Sequence, residues 1–162
     1  FNQVKIVAGT GVSGSTSFML NGPHGIFVDT NLDLYVADRS NHRIQLFPFG
    51  RSDAITIAGI GSSPSTIDLN NPTAVILDAN KYVFIVDYGN HRIIGSGPNG
   101  FRCLVGCNGS GSAANQLKSP RAISFDTYGS IFIADGTNNR IQKLALMTNS
   151  CSKFDPTKEY LS

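Results

Sequence analysis

An all-β chain folded as a series of small four-stranded antiparallel sheets is predicted by three observations. First, one polar stretch occurs three times. Asp38-Arg39-Ser40-Asn41-His42-Arg43-Ile44 returns as Asp87-Tyr88-Gly89-Asn90-His91-Arg92-Ile93 and as Asp135-Gly136-Thr137-Asn138-Asn139-Arg140-Ile141. Second, the copies lie 49 and 48 residues apart, and a fixed period of this length marks a repeat architecture. Third, apolar runs of strand length, bounded by Gly, Pro, Asn and Asp, recur at the same phase of each copy.

Each element follows from its own residues. Val4-Lys5-Ile6-Val7-Ala8-Gly9 reads as a strand, β-branched and stopped by Gly, and a Gly/Ser/Thr loop follows over residues 10–17. Leu20-Asn21-Gly22-Pro23 introduces residues 25–29, a mostly apolar run expected to be buried on both faces. A turn at residues 30–32 leads to a strand over 33–38, and after the turn at 39–41 residues 42–47 alternate polar with apolar, as in a strand with one wetter face. Residues 54–59 copy the opening strand. The second unit then repeats the order with strands at 74–78, 82–87, 91–94 and 102–106, and the third with strands at 122–126, 130–135 and 140–144. The third unit lacks a strand ending in Val-Ala-Gly or Val-Gly and passes instead into a polar tail, residues 149–162.

Four short antiparallel strands per unit of about 48 residues describe a β-propeller blade. The Gly/Ser-rich stretches at 10–17, 59–66 and 106–115 share one phase of the repeat, so they connect blades and do not separate domains. The repeats are placed at about residues 4–53, 54–101 and 102–148, within a repeat region of 1–148. The Asn-His-Arg-Ile signature at 41–44 and 90–93, with Asp three residues upstream and Leu-x-x-Pro before the inner strand, resembles the NHL-repeat family of β-propellers. The resemblance covers residues 4 to about 146, with Asn139 replacing His in the third copy.

One outer strand, two complete blades and three strands of a third make three blades' worth, with one strand displaced to the front. Propellers close with four to eight blades, and the resemblance implies six. The chain therefore reads as half of a six-bladed propeller, its N-terminal strand acting as the outer strand of another blade. Either further blades complete the ring or two copies join head to tail, and both arrangements cover exposed sheet edges. The chain opens on Phe1, which suggests a processed or excised piece without its targeting segment.

Asp38, Asn41 and Arg43, with their counterparts Asp87, Asn90, Arg92, Asp135, Asn138 and Arg140, are read as structural. Asp and Asn bond nearby backbone in turns, and a repeated Arg pairs with carboxylates. Function is sought where the repeats differ. The connection into the inner strand and the turn before Asn-His-Arg lie at one end of each blade, and that end carries His24, Arg39, Ser40, Thr73, Tyr88, Arg121 and Thr137 as the ligand-binding face. Peptidyl-hydroxyglycine lyases, similar in fold, hold zinc with His residues near this point of several blades. Here Thr73 and Arg121 stand where such a site would need further His, which argues against a metal site, since zinc requires three or four converging ligands.

No catalytic residues, cofactor or metal are assigned. The sequence contains no Gly-x-Ser-x-Gly elbow, Cys-x-x-Cys, Walker loop or EF-hand, and Glu159 is its single Glu. Thirteen Lys and Arg against eleven Asp and Glu are interspersed, which is weak support for nucleic acid as a partner. No apolar run is long enough to span a membrane. Cys103, Cys107 and Cys151 permit one disulfide with an odd thiol, or three reduced thiols, and Asn108-Gly109-Ser110 is a glycosylation sequon. Both features favour a secreted protein. The reading is a non-enzymatic module for a protein, peptide or glycan partner. The rivals are a metal-dependent lyase or lactonase-like hydrolase with ligands in missing blades, and an RNA-binding NHL domain.

Overall fold

The computed structural model describes residues 4–145. The first sheet takes β1 (Pro23–Val28), β2 (Leu34–Asp38), β3 (Arg43–Phe47) and β4 (Ile55–Gly59) in chain order. The second takes β5 (Ala74–Leu77), β6 (Val83–Asp87), β7 (Arg92–Gly97) and β8 (Gly100–Val105). The third holds β9 (Pro120–Phe125), β10 (Ile131–Asp135) and β11 (Arg140–Leu144), three strands among the described residues. All neighbours pair antiparallel. The register repeats as faithfully as the sequence, with Asp38 opposite Arg43, Asp87 opposite Arg92 and Asp135 opposite Arg140. The sequence repeat and the sheet are offset by one strand: the repeat at 54–101 opens on β4, which closes the first sheet.

Between the second and third strand of each sheet the chain makes one 3₁₀ turn, over Arg39–Asn41, Tyr88–Asn90 and Gly136–Asn138. Each turn ends on a left-handed residue, His42 at φ 54°, His91 at φ 56° and Asn139 at φ 52°. Asn and His are among the side chains that tolerate this region best, which accounts for the residue types at this position.

Strand alternation divides each sheet into two faces. Val75, Leu77, Val83 and Ile85 of the second sheet pack on Tyr35, Ala37 and Ile44 of the first. Phe84 and Val86, on its other face, pack with Ile123, Ile131 and Ile133 of the third. The core is therefore two seams between three stacked blades, and no single interior contains it.

Two strand expectations are corrected. β1 is not buried on both faces: Ile26 is 65% and Val28 51% exposed, whereas their equivalents Val75 and Leu77 are 1% and 7% exposed. Those equivalents lie under a preceding sheet, and among the described residues the first sheet has none. Residues 4–9 form no strand either, because a strand needs a ladder partner and no other described segment offers them one. The polar tail and Cys151 lie outside the described residues.

Candidate functional site

The repeated motif builds one buried network per blade. Asp38 is fully buried and accepts from the Asn21 N–H (2.7 Å), from Asn41 Nδ2 (2.8 Å) and from Arg43 Nε (2.7 Å). Arg43 spends its remaining donors on the carbonyls of Ser15, Thr16 and Met19, which fastens the preceding connection to the blade. Asp87 meets Asn70 N–H, Asn90 and Arg92 in the same way, and Arg92 reaches the Asp68 carbonyl. Asp135 meets Lys118 N–H, Asn138 and Arg140, and Arg140 holds the carbonyls of Ser112, Ala113 and Gln116. Burial raises the Asp135 carboxyl, but these donors outweigh it and hold the group below the usual carboxylate range. Each charge has its counter-charge and its lone pairs are occupied, so the network fixes geometry and leaves no reactive group free.

The motif histidines join one blade to the next. His42 Nδ1 accepts the Asn71 N–H at 3.0 Å, and His91 Nδ1 accepts the Ser119 N–H at 3.0 Å. Asn71 and Ser119 are themselves left-handed, at φ 50° and 51°. The sequence carries this function only as a conserved spacing within the chain, and nothing in the residue types announces an inter-blade bond.

The unrepeated residues of the end face divide into those brought together and those withdrawn. Arg39, in the first blade's turn, and Arg121, on β9, each place the guanidinium carbon 5.7 Å from the ring centre of Tyr88, in the second blade's turn. Three blades thus contribute one side chain each to a cation–aromatic–cation cluster. His24 is exposed, and its Nδ1 lies 3.1 Å from the Thr73 carbonyl, a bond that requires the Nδ1–H tautomer. Ser40 and Thr137 are exposed. Thr73 is withdrawn from the expected surface: it is 4% exposed, with its hydroxyl unpartnered among the described residues. The close approach of Gly25 to the Thr73 backbone covers it, since a Cβ on Gly25 would meet the Thr73 carbonyl oxygen at 2.5 Å.

A second feature, at the β5–β6 turn, escaped the sequence reading. Asp29, Asp78 and Asp126 occupy equivalent turns and accept two backbone N–H groups each through one oxygen. The other oxygen of Asp29 meets Lys81 Nζ at 3.0 Å, and that of Asp126 meets Lys143 Nζ at 3.2 Å. Asp78 Oδ2 is buried with no such partner among the described residues. Burial pushes the Asp78 carboxyl up, and the Tyr82 and Asn80 N–H groups offset this only in part. In Asp29 burial is outweighed by Lys81 and the N–H groups of Asp33 and Asn31, and the carboxyl falls below its ordinary range. The legible signal was Gly129, which stands in the third repeat where the second has Lys81. A cavity of about 580 Å³ adjoins these turns, lined by Asp78, Asn80, Phe84, Phe125, Asp126 and Tyr128 among others.

Cys103 and Cys107 form a disulfide, and Asn108 beside it is exposed. Among the described residues no three His, Cys, Asp or Glu side chains converge, and no helix is long and apolar enough to cross a membrane.

Fold and motif geometry together define an all-β protein of propeller type, built from three NHL-like blades. Residues 20–47 match the NHL repeat. No curated protein sequence matches the chain. Among solved structures, a protein of unknown function from Bacteroides thetaiotaomicron is similar, with TM-score 0.64 and 17% identity over 82% of this chain and 37% of that one. An auxiliary nutrient binding protein from Bacteroides ovatus gives 0.59 and 18%, covering 77% and 37%. Virginiamycin B lyase from Staphylococcus aureus gives 0.51 and 12%, covering 79% and 42%. Likeness at these identities concerns the fold alone, and the chain spans roughly two fifths of each of these proteins.

Proposed function

We propose that the chain is a non-enzymatic binding module whose end face receives an anionic group of a protein, peptide or glycan partner. The observation that carries this reading is the pair of guanidinium groups held against Tyr88. Neither Arg39 nor Arg121 takes part in an ion pair among the described residues, while Arg43, Arg92 and Arg140 each neutralise a buried Asp. Two cations within reach of one ring, with no carboxylate between them, suit an incoming carboxylate or sulfate, which a guanidinium binds in bidentate fashion. Tyr88 adds a planar face on which a sugar or side chain can lie. A binding role also accords with the auxiliary nutrient binding proteins among the structural neighbours. The disulfide at Cys103 and Cys107 supports an extracellular setting.

The test is titration with an oligouronate and a Glu-rich peptide, each beside a neutral counterpart. Acidic ligands are expected to bind more tightly, with a loss of about tenfold for Arg39→Ala or Arg121→Ala, as befits a charge-assisted bond of about 1.4 kcal/mol. Equal affinity for neutral ligands, or an unchanged Kd in the double variant, would refute the assignment. Stoichiometric zinc or calcium bound through His24 in purified protein would overturn its non-enzymatic part.

A further inference from the structure

Each complete blade boundary shows the same two features, one within the blade and one across to the next. The fourth strand of a blade ends in a left-handed glycine, Gly59 at φ 86° or Gly106 at φ 77°, where a Cβ would collide with the carbonyl oxygen of His42 or His91. The third strand's turn then reaches the next blade through the histidine Nδ1 to Asn71 or Ser119.

The parts of one more seam are present, split between opposite ends of the chain. At the N-terminal end, Gly9 already has φ 78°, yet a Cβ there would meet only Leu20, at 3.4 Å, and no third strand lies over it among the described residues. Val4, Ile6 and Val7 before it are exposed, as are Ile26 and Val28 on the outer face of β1. Gly22, the equivalent of Asn71 and Ser119, is left-handed at φ 58°. At the other end, β11 has one edge unpaired among the described residues. A groove of about 380 Å³ runs beside it, lined in part by Leu104, Ile133, Gln142 and Leu144. Asn139 stands in the histidine position with its φ of 52°, and Ile141 is exposed where Ile44 and Ile93 are buried.

We propose that two copies of this chain close head to tail, residues 4–9 of each forming the fourth strand of the other's third sheet. The existing sheets set the register. Ala58 faces Ile44 and Thr56 faces Gln45, while Val105 faces Ile93 and Cys103 faces Ile94. By the same offsets Ala8 faces Ile141 and Ile6 faces Gln142. Ile6 and Val4 hold the places of Cys103 and Phe101, which pack against the seam before their blade, so they fill the groove. Ile26 and Val28 then cover Ile141, and Asn139 accepts the Gly22 N–H as the histidines do elsewhere. The second sheet lies between the first and third, so the two half-seams of one chain cannot meet each other. The described blades of two copies number six, within the range in which propellers close, and each contact occurs twice about a two-fold axis. One pairing opposes the assembly: Lys5 falls opposite Lys143, and like charges across a ladder repel.

The experiment is the solution mass of the full 162-residue chain, by sedimentation or light scattering, with amide exchange on the same sample. The expected species has twice the 17.3 kDa of one chain, with residues 4–8 and the β11 edge protected. Ile6→Lys, which touches no sheet of its own chain, is expected to yield folded monomer. Lys5→Glu should lower the dimer dissociation constant about tenfold or more. A monomer with freely exchanging residues 4–8 overturns the proposal, as does an open-ended oligomer that grows with concentration. A dimer unaffected by both Ile6→Lys and Lys5→Glu overturns the register.

Discussion

Removing one motif carboxylate tests the whole account of how the blades are held. In Asp38→Ala the Asn21 N–H and Arg43 Nε lose their acceptor, and Asn41 Nδ2 keeps only the Gly14 carbonyl. Arg43 remains buried, its side chain 7% exposed, still bonded to three carbonyls but without a counter-ion. Breaking a buried pair from one side costs about 3–5 kcal/mol, a large share of the roughly 5–15 kcal/mol that stabilises a domain. The equivalent changes should cost less in order of solvent access, since the Arg92 and Arg140 side chains are 24% and 31% exposed and water can replace part of the lost partner. Asp135→Ala is accordingly expected at about 1.5–3 kcal/mol, the range for hydrogen bonds to charged groups. Urea unfolding followed by circular dichroism measures all three, read as midpoint shifts at constant slope. A cost below about 1 kcal/mol for Asp38→Ala, or equal costs at the three positions, would refute the reasoning.

Three further outcomes are expected. Gly59→Ala and Gly106→Ala should each destabilise by well over the ~1 kcal/mol of left-handed strain alone, because the new methyl meets a backbone carbonyl. Gly50→Ala, at φ 76° with open space around it, should show the strain alone in the same unfolding assay. His42→Ala removes the acceptor of the Asn71 N–H and should cost about 1–3 kcal/mol, whereas His42→Asn should recover part of it, as Asn139 occupies this place in the third repeat. For Asp78 the folded carboxyl titrates above its unfolded value, so the folded chain binds the extra proton. Its contribution is fully present below the ordinary carboxylate value and lost as pH rises through the raised folded one. Asp78→Asn should therefore raise Tm at neutral pH and flatten that decline, and an unchanged profile would contradict the buried, unpartnered oxygen.

Most strand positions could be read from the sequence because they depend on local chemistry: an apolar run stopped by a Gly, as at Gly59 and Gly106, a Pro before an inner strand, an Asp in the turn between strands. The burial of each strand could not, since Ile26 and Val75 both sit in apolar runs between Pro and Asp and differ in whether another described sheet lies over them. Residues 4–9 failed as a strand for the same reason. On the end face, grouping Arg39, Tyr88 and Arg121 needed only strand direction and the place of each residue in the repeat. Thr73 shares the repeat position of Arg121 but is buried, because the close backbone approach of Gly25 closes over it. Asp78 was missed because its difference from Asp29 is written elsewhere, in the exchange of Lys81 for Gly129. The roles of His42 and His91 were hidden because their partners lie 29 and 28 residues downstream.

Those histidine bonds also give the array a direction. Every blade offers an acceptor on its downstream side and a left-handed N–H on its upstream side, so blades add in one orientation only, like monomers in a polar filament. A change in the number of repeats needs no rewiring of the joints, because each new unit brings both halves of the fastening with it. Unequal recombination between copies 48 or 49 residues apart would lengthen or shorten such a chain and leave every junction of the same kind. The binding face, assembled from residues that differ between blades, would change with every such event while the frame did not.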